Sequence, residues 1–226
     1  MELRSLVPMW LRYRLMEYRG RGIYSHFADE YQCIFIHIPK AAGTSVALTL
    51  FGQSSRHVPW FEYYQASPAK FESYFKFAFV RNPWDRLVST YFFLKRGGID
   101  PQDRIWAESN LAAYPTFESF VLGWLSPEAI LTWVHFLPQH YFICDDSGKI
   151  MMDFVGRVEN LEADYAMVAA RLGCNRKLEK VNVGSQQHYS HYYTDASREL
   201  VGRVYAKDIA LFGYAFEHAS DGVVAQ

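Results

Sequence analysis

Cys33-Ile34-Phe35-Ile36-His37-Ile38-Pro39-Lys40-Ala41-Ala42-Gly43-Thr44-Ser45-Val46 reads as a buried strand, a tight turn and the start of a helix. Its first half is apolar and β-branched without alternation, the pattern of a strand covered on both faces in a parallel sheet. Proline has no N–H to give to a ladder, so Pro39 ends the strand. The small residues after it turn the chain into a run, 46–51, that continues as helix. Backbone N–H groups converge where such a helix begins, its dipole adds positive potential, and Lys40 adds a full charge. The expected product is an anion site built from Lys40, Ala41, Ala42, Gly43, Thr44 and Ser45. Gly43 is expected to let the backbone approach a phosphate or sulfate oxygen. The pattern is not a Walker A loop, because the lysine precedes the glycine and no earlier glycine opens the turn.

A second strand–turn–helix unit follows. Tyr74-Phe75-Lys76-Phe77-Ala78-Phe79-Val80 is apolar and strand-like, and Arg81-Asn82-Pro83-Trp84-Asp85-Arg86 comes directly after it. Asn82 is a good N-cap and Pro83 suits a first helical turn. The helix then carries Leu87, Val88, Tyr91 and Leu94 on one face and stops near Gly97-Gly98. Ligands of open parallel sheets bind at the carboxyl ends of strands. Arg81 stands at such an end, and Ser89 lies two turns into the helix on the side facing back toward it. Two units with one cation each suit a ligand carrying two separated phosphate-like groups.

The rest of the chain is read around these units. Residues 1–30 are expected to form a helical extension that starts near Pro8. Its Leu11, Leu15 and Tyr18 pack on the body and its arginines face solvent; residues 31–226 are expected as one domain. Residues 100–135 look helical, with breaks at Pro101, Pro115 and Pro127, and the aromatics around Trp106, Trp124 and Trp133 fill a core by default. Residues 141–144, the turn Asp145-Asp146-Ser147-Gly148 and residues 150–158 are expected as a hairpin. Asn160 is expected to cap a helix closed by Gly173. A last helix runs from about 197 to 211 with Asp195 as its cap.

Composition bounds the function. A chain of 226 residues, half hydrophobic and 17% aromatic, is long enough for one α/β domain with a full core. The net charge of −1 provides no global field for nucleic acid, so a polyanion site must be local. Cys33, Cys144 and Cys174 are widely spaced and form no C-x-x-C pair, which points to reduced thiols and not to a disulfide frame or zinc site. No apolar run approaches the ~18–20 residues of a membrane span, and no signal-peptide pattern opens the sequence. The expected compartment is the cytosol, with no nucleic-acid partner and no transmembrane segment.

Four segments together resemble the sulfotransferase family, in the branch that holds carbohydrate and heparan-sulfate-type enzymes and many bacterial relatives. They are Ile36-His37-Ile38-Pro39-Lys40-Ala41-Ala42-Gly43-Thr44-Ser45, then Phe77-Ala78-Phe79-Val80-Arg81-Asn82-Pro83-Trp84-Asp85-Arg86-Leu87-Val88-Ser89-Thr90-Tyr91. The third is Asp153-Phe154-Val155-Gly156-Arg157-Val158-Glu159-Asn160-Leu161, and the fourth is Tyr192-Tyr193-Thr194 with Leu211-Phe212-Gly213-Tyr214. The resemblance implies an α/β, three-layer P-loop-like fold with a central parallel sheet flanked by helices. It implies 3′-phosphoadenosine 5′-phosphosulfate as the donor, its 5′-phosphosulfate on Lys40 to Ser45 and its 3′-phosphate on Arg81 and Ser89. The family's late loop near the 3′-phosphate and adenine falls on residues 183–189, with Gly184 and Ser185. The basic residue often found there is absent, and Gln186-Gln187 stand in its place.

Sulfuryl transfer is similar to phosphoryl transfer: a loose, in-line transition state, stabilised by positioning and electrostatics. Lys40 and the amides of 42–45 are placed to take up the charge that the leaving phosphate gains. No metal is required, and no His/Cys/Asp cluster has ligand spacing. The acceptor hydroxyl, of a carbohydrate or small molecule, must lose a proton, and histidine is the natural base near neutral pH. His57 is the expected base: it lies between the two anion sites in sequence, and in this branch a histidine shortly before the second strand is the usual candidate. His135 and His140 are the alternatives, and His37 is expected to be packed or hydrogen-bonded. Two rival readings are a P-loop small-molecule or nucleotide kinase and a non-catalytic glycan-binding relative. For the kinase, Ile150-Met151-Met152-Asp153 offers an apolar run ending in a magnesium-type aspartate.

Overall fold

The computed structural model describes residues 8–178 and 187–219. Three strands, β1 (Cys33–Ile36), β2 (Phe75–Val80) and β3 (Phe154–Arg157), form one parallel sheet in the order β1-β2-β3. The register pairs Cys33 with Phe75 through Ile36 with Ala78, and Phe77 with Phe154 through Val80 with Arg157. Every residue of β1 is buried, as is all of β2 after Phe75. A strand covered on both faces has no polar face to alternate with, which is why these runs are continuously apolar.

Twelve α-helices accompany the sheet among the described residues. They are α1 (Met9–Tyr18), α2 (Phe27–Tyr31), α3 (Gly43–Phe51), α4 (Trp60–Ala66), α5 (Pro68–Ser73) and α6 (Pro83–Lys95). Then come α7 (Pro101–Asn110), α8 (Phe117–Trp124), α9 (Gln139–Ile143), α10 (Leu161–Arg171), α11 (Asp195–Val204) and α12 (Ala206–Phe212). The architecture is therefore α/β, a central parallel sheet flanked by helices. The described chain divides into two compact units, one up to Val80 together with residues 139–178, the other 81–138 together with 187–219. The first holds the sheet, with α2 against β1 and α10 against β3. Its core reaches back into the first thirty residues, where Tyr24 is fully buried and Phe27 stacks on Phe51 with ring centroids 4.0 Å apart. The second unit is helical and packs Trp84, Leu87, Tyr91, Trp106, Phe120 and Phe136 into its own core. None of the helices among the described residues is long and apolar enough to cross a membrane.

The helix that follows β2 is built as its sequence dictates. Asn82 Oδ1 accepts from the Trp84 N–H at 3.1 Å, Pro83 occupies the first turn, and Gly97 and Gly98 end it at positive φ. Elsewhere the structure departs from local expectation. Residues 139–143 are helix, and only an isolated antiparallel bridge, Cys144 to Ile150, closes the expected hairpin. The turn itself is real: Asp145 Oδ1 accepts from the N–H groups of Ser147 and Lys149 and from Ser147 Oγ. The Ser147 hydroxyl is the chief cause that holds the Asp145 carboxyl below its ordinary range. Short apolar runs suit helix and strand alike, and here the strand partner for residues 154–157 is β2, in parallel.

Three smaller elements also differ from their local reading. The Leu15–Tyr18 side of α1 is not its packed face; Leu15 is 43% and Tyr18 91% exposed. Tyr13 and Glu17, four residues apart and so on one face, make the contacts instead, with Glu62 at 2.7 Å and Lys70 at 2.6 Å. Asn160 stands before α10 but donates to Asp164 at 2.8 Å in place of capping. The last helix is two helices, broken at Tyr205, whose buried hydroxyl donates to the Phe136 carbonyl at 2.8 Å. Its start is capped by Thr194 in a reciprocal pair with Ser197, not by Asp195.

Candidate functional site

The carboxyl end of β1 turns into α3 through two left-handed residues that are not glycine, Lys40 at φ +64° and Ala42 at φ +60°. Such conformations cost on the order of 1 kcal/mol each. They wind the backbone into a tight turn in which the Ala41 N–H donates to the Ile38 carbonyl at 3.3 Å. Ala42 is the N-cap of α3 and offers no side chain to the first-turn amides. Strand end, lysine and helix N-terminus thus come together in residues 40–45, with Ala41, Gly43 and Ser45 buried and Lys40, Ala42 and Thr44 half-buried. Gly43 also has a reason that its sequence does not show. A Cβ there would overlap the imidazole of His37, so the glycine makes room for a ring.

His37 is buried, 6% exposed, with Nδ1 at 2.8 Å from Ser55 Oγ and 3.3 Å from the Ser55 carbonyl. That matches the expectation of a packed, hydrogen-bonded residue. His57 is half-buried, and its Nδ1 lies 2.8 Å from the His37 carbonyl oxygen. A carbonyl can only accept, so Nδ1 carries the proton, and in the neutral ring Nε2 carries the lone pair. The two rings meet edge to face with centroids 4.3 Å apart. Residues 55, 56 and 58 border a cavity of about 210 Å³ that Ile23, Phe27 and Tyr63 also line.

In the second unit, Arg81 makes a bidentate pair with Asp85, Nε to Oδ2 and Nη2 to Oδ1, both at 2.8 Å. The pair engages one edge of the guanidinium and fixes its plane. Asp85 and Ser89 lie four residues apart on one face of α6 and are both half-buried, as is Arg81 just before the helix. Asp85 is the residue that sequence reasoning misses, although an Arg and an Asp four apart is a readable signal. Ser55 carries no such signal, because its partner is distant in sequence.

The alternatives are placed as follows. His135 is buried, with Nε2 at 2.9 Å from Oδ1 of buried Asp103. His140 sits half-buried in α9. Gly184 and Ser185 lie outside the described residues. Asp153, the aspartate of the kinase reading, precedes β3 at its amino end. It accepts the Lys76 N–H at 2.8 Å and pairs with Lys76 Nζ at 3.0 Å. A cavity of about 720 Å³ opens at that end, lined by Phe75, Lys76, Asp153 and Arg171, and none of the residues expected to hold the sulfuryl donor or act as base borders it. Among the described residues, no group of three or more His, Cys, Asp or Glu could hold a metal ion.

Comparison with known families matches residues 25–215 to the sulfotransferase family, a span that takes in both strand–turn–helix corners and His57. Among curated proteins, an uncharacterized protein of Archaeoglobus fulgidus is 29% identical over 122 residues. The alignment covers 53% of this chain and 85% of that protein. No solved structure matches the chain.

Proposed function

The chain belongs to the sulfotransferase family, and on that premise we propose that it moves a sulfuryl group from 3′-phosphoadenosine 5′-phosphosulfate to a hydroxyl of a carbohydrate or small molecule. The observation that carries this reading is the corner after β1, where Lys40 meets the start of a helix that no cap side chain closes. Lys40 and the amides of residues 42–45 bind the 5′-phosphosulfate. Arg81 and Ser89 hold the 3′-phosphate, and Gly184 and Ser185 complete that end.

The acceptor oxygen bonds to sulfur as the bond from sulfur to the 5′-phosphate oxygen breaks, and the departing phosphate keeps the electron pair. Lys40 stabilises the charge gained there. His57 takes the hydroxyl proton at Nε2, the nitrogen left basic by the Nδ1–H bond to His37. One fact favours His57 over His135: it is the more exposed ring.

The test is transfer of a ³⁵S label from the donor to a panel of sugars and small alcohols, with and without a chelator. Label transfer that survives the chelator is the expected result. Titration with adenosine 3′,5′-bisphosphate should give saturable heat and a thermal shift. Neither heat nor shift would overturn the donor assignment, and magnesium-dependent transfer from ATP would establish the kinase reading in its place.

A further inference from the structure

The segment Ser55-Arg56-His57 is tied at both ends to a single residue. At one end Ser55 Oγ lies 2.8 Å from His37 Nδ1; at the other His57 Nδ1 donates to the His37 carbonyl at 2.8 Å. The chain is drawn tight around His57, with the Val58 N–H on the Arg56 carbonyl at 3.0 Å. His37 itself stands one residue beyond the last β1–β2 register pair, Ile36 with Ala78. Its ring is what anchors it there. The imidazole is buried, stacks on Phe35 with centroids 5.8 Å apart, and occupies the space a Cβ on Gly43 would need.

We propose that Ser55 and His37 are positioning residues for His57, a role that rests on His57 being the base. The carbonyl of His37 selects the His57 tautomer, and the Ser55 hydroxyl, bonded to the His37 ring, keeps residues 55–57 against that carbonyl. If that tie is lost, the segment can move off the carbonyl, and His57 can place its proton on Nε2 instead. A neutral histidine with the proton on Nε2 has no lone pair there to accept the hydroxyl proton. The same ring lies against Gly43 of the anion loop and against His57, so one buried side chain keeps the donor loop and the base in register. This also explains why the loop has glycine at position 43.

Ser55→Ala tests the proposal, with Ser55→Thr as the conservative rescue. Two-bond ¹H–¹⁵N spectra of the imidazoles should show His57 as the Nδ1–H tautomer in the wild type, a mixture in Ser55→Ala, and recovery in Ser55→Thr. Turnover should fall about ten- to hundredfold in Ser55→Ala, with the Kd for adenosine 3′,5′-bisphosphate unchanged. A lower Tm with wild-type turnover and tautomer would mark Ser55 as an ordinary loop anchor and overturn the proposal. If Ser55→Ala does not fold, His37→Asn keeps the carbonyl and loses the ring. An unshifted Nδ1–H signal from His57 in that variant also overturns it. The spectra need no substrate, so a wild-type protein that transfers no label overturns the functional reading, while the spectra alone decide the positioning role.

Discussion

At the end of β1 the chain turns through Lys40 and Ala42, both left-handed, into a helix whose cap residue has no side chain to offer. At the end of β2 it turns through Asn82, whose side chain closes the first turn of α6, and the neighbouring Arg81 is paired with Asp85. Both are strand–turn–helix corners with one cation, yet their donors are used differently. The first stores backbone strain in a turn that leads into a helix start closed by no cap side chain. In the second the cap and the paired carboxylate both come from the turn and the helix it starts, and what it offers a ligand is a guanidinium already oriented by a carboxylate. A corner of the first kind suits a group whose charge changes during reaction. One of the second kind suits a group that is only held.

The substitution with the largest expected effect tests what stands beside the first corner. His57→Ala should lower label transfer by about 10²- to 10⁴-fold while the bisphosphate still binds. Transfer at the wild-type rate would move the base to His135 or His140. Next, Lys40→Ala should cost about 10²- to 10³-fold in kcat with a smaller change in product affinity. Arg81→Ala should do the reverse, weakening donor affinity about ten- to hundredfold and leaving kcat at saturation near the wild-type value. If both variants lose kcat alike, the contrast between the corners is wrong.

Gly43→Ala separates packing from approach. Because the added methyl overlaps His37, it should destabilise the fold by about 1–3 kcal/mol, read as a lower Tm without ligand. An unchanged Tm with weakened donor binding would restore the simpler view that the glycine serves the anion alone. The smallest effect is expected from Asp85→Asn, which removes the charge compensating Arg81. Bisphosphate affinity should tighten about two- to fivefold; a loss of affinity would show that orienting the guanidinium matters more than its charge.

Much of the fold is legible in the order of residues alone. The buried parallel strands follow from runs without alternation, and the start of α6 follows from Asn82 and Pro83, whose preferences act within a turn. Residues 141–144 defeat a local reading because a run of four apolar residues does not choose between helix and strand by itself. Burial of the Asp103–His135 pair is also out of reach of such a reading, since its two members are 32 residues apart with α8 between them.

By itself the sequence determined the two corners, the cation at each, and the apolar strands that lead to them, because such features depend on residues within one turn or one strand. Only the tertiary structure decided which nitrogen of His57 keeps its proton, why position 43 must lack a side chain, and that Ser55 holds His37. Those are matters of a carbonyl, a ring and a hydroxyl brought together across as many as twenty residues of chain. Hydrogen-bond geometry and excluded volume between such groups exist only once the backbone has closed on itself.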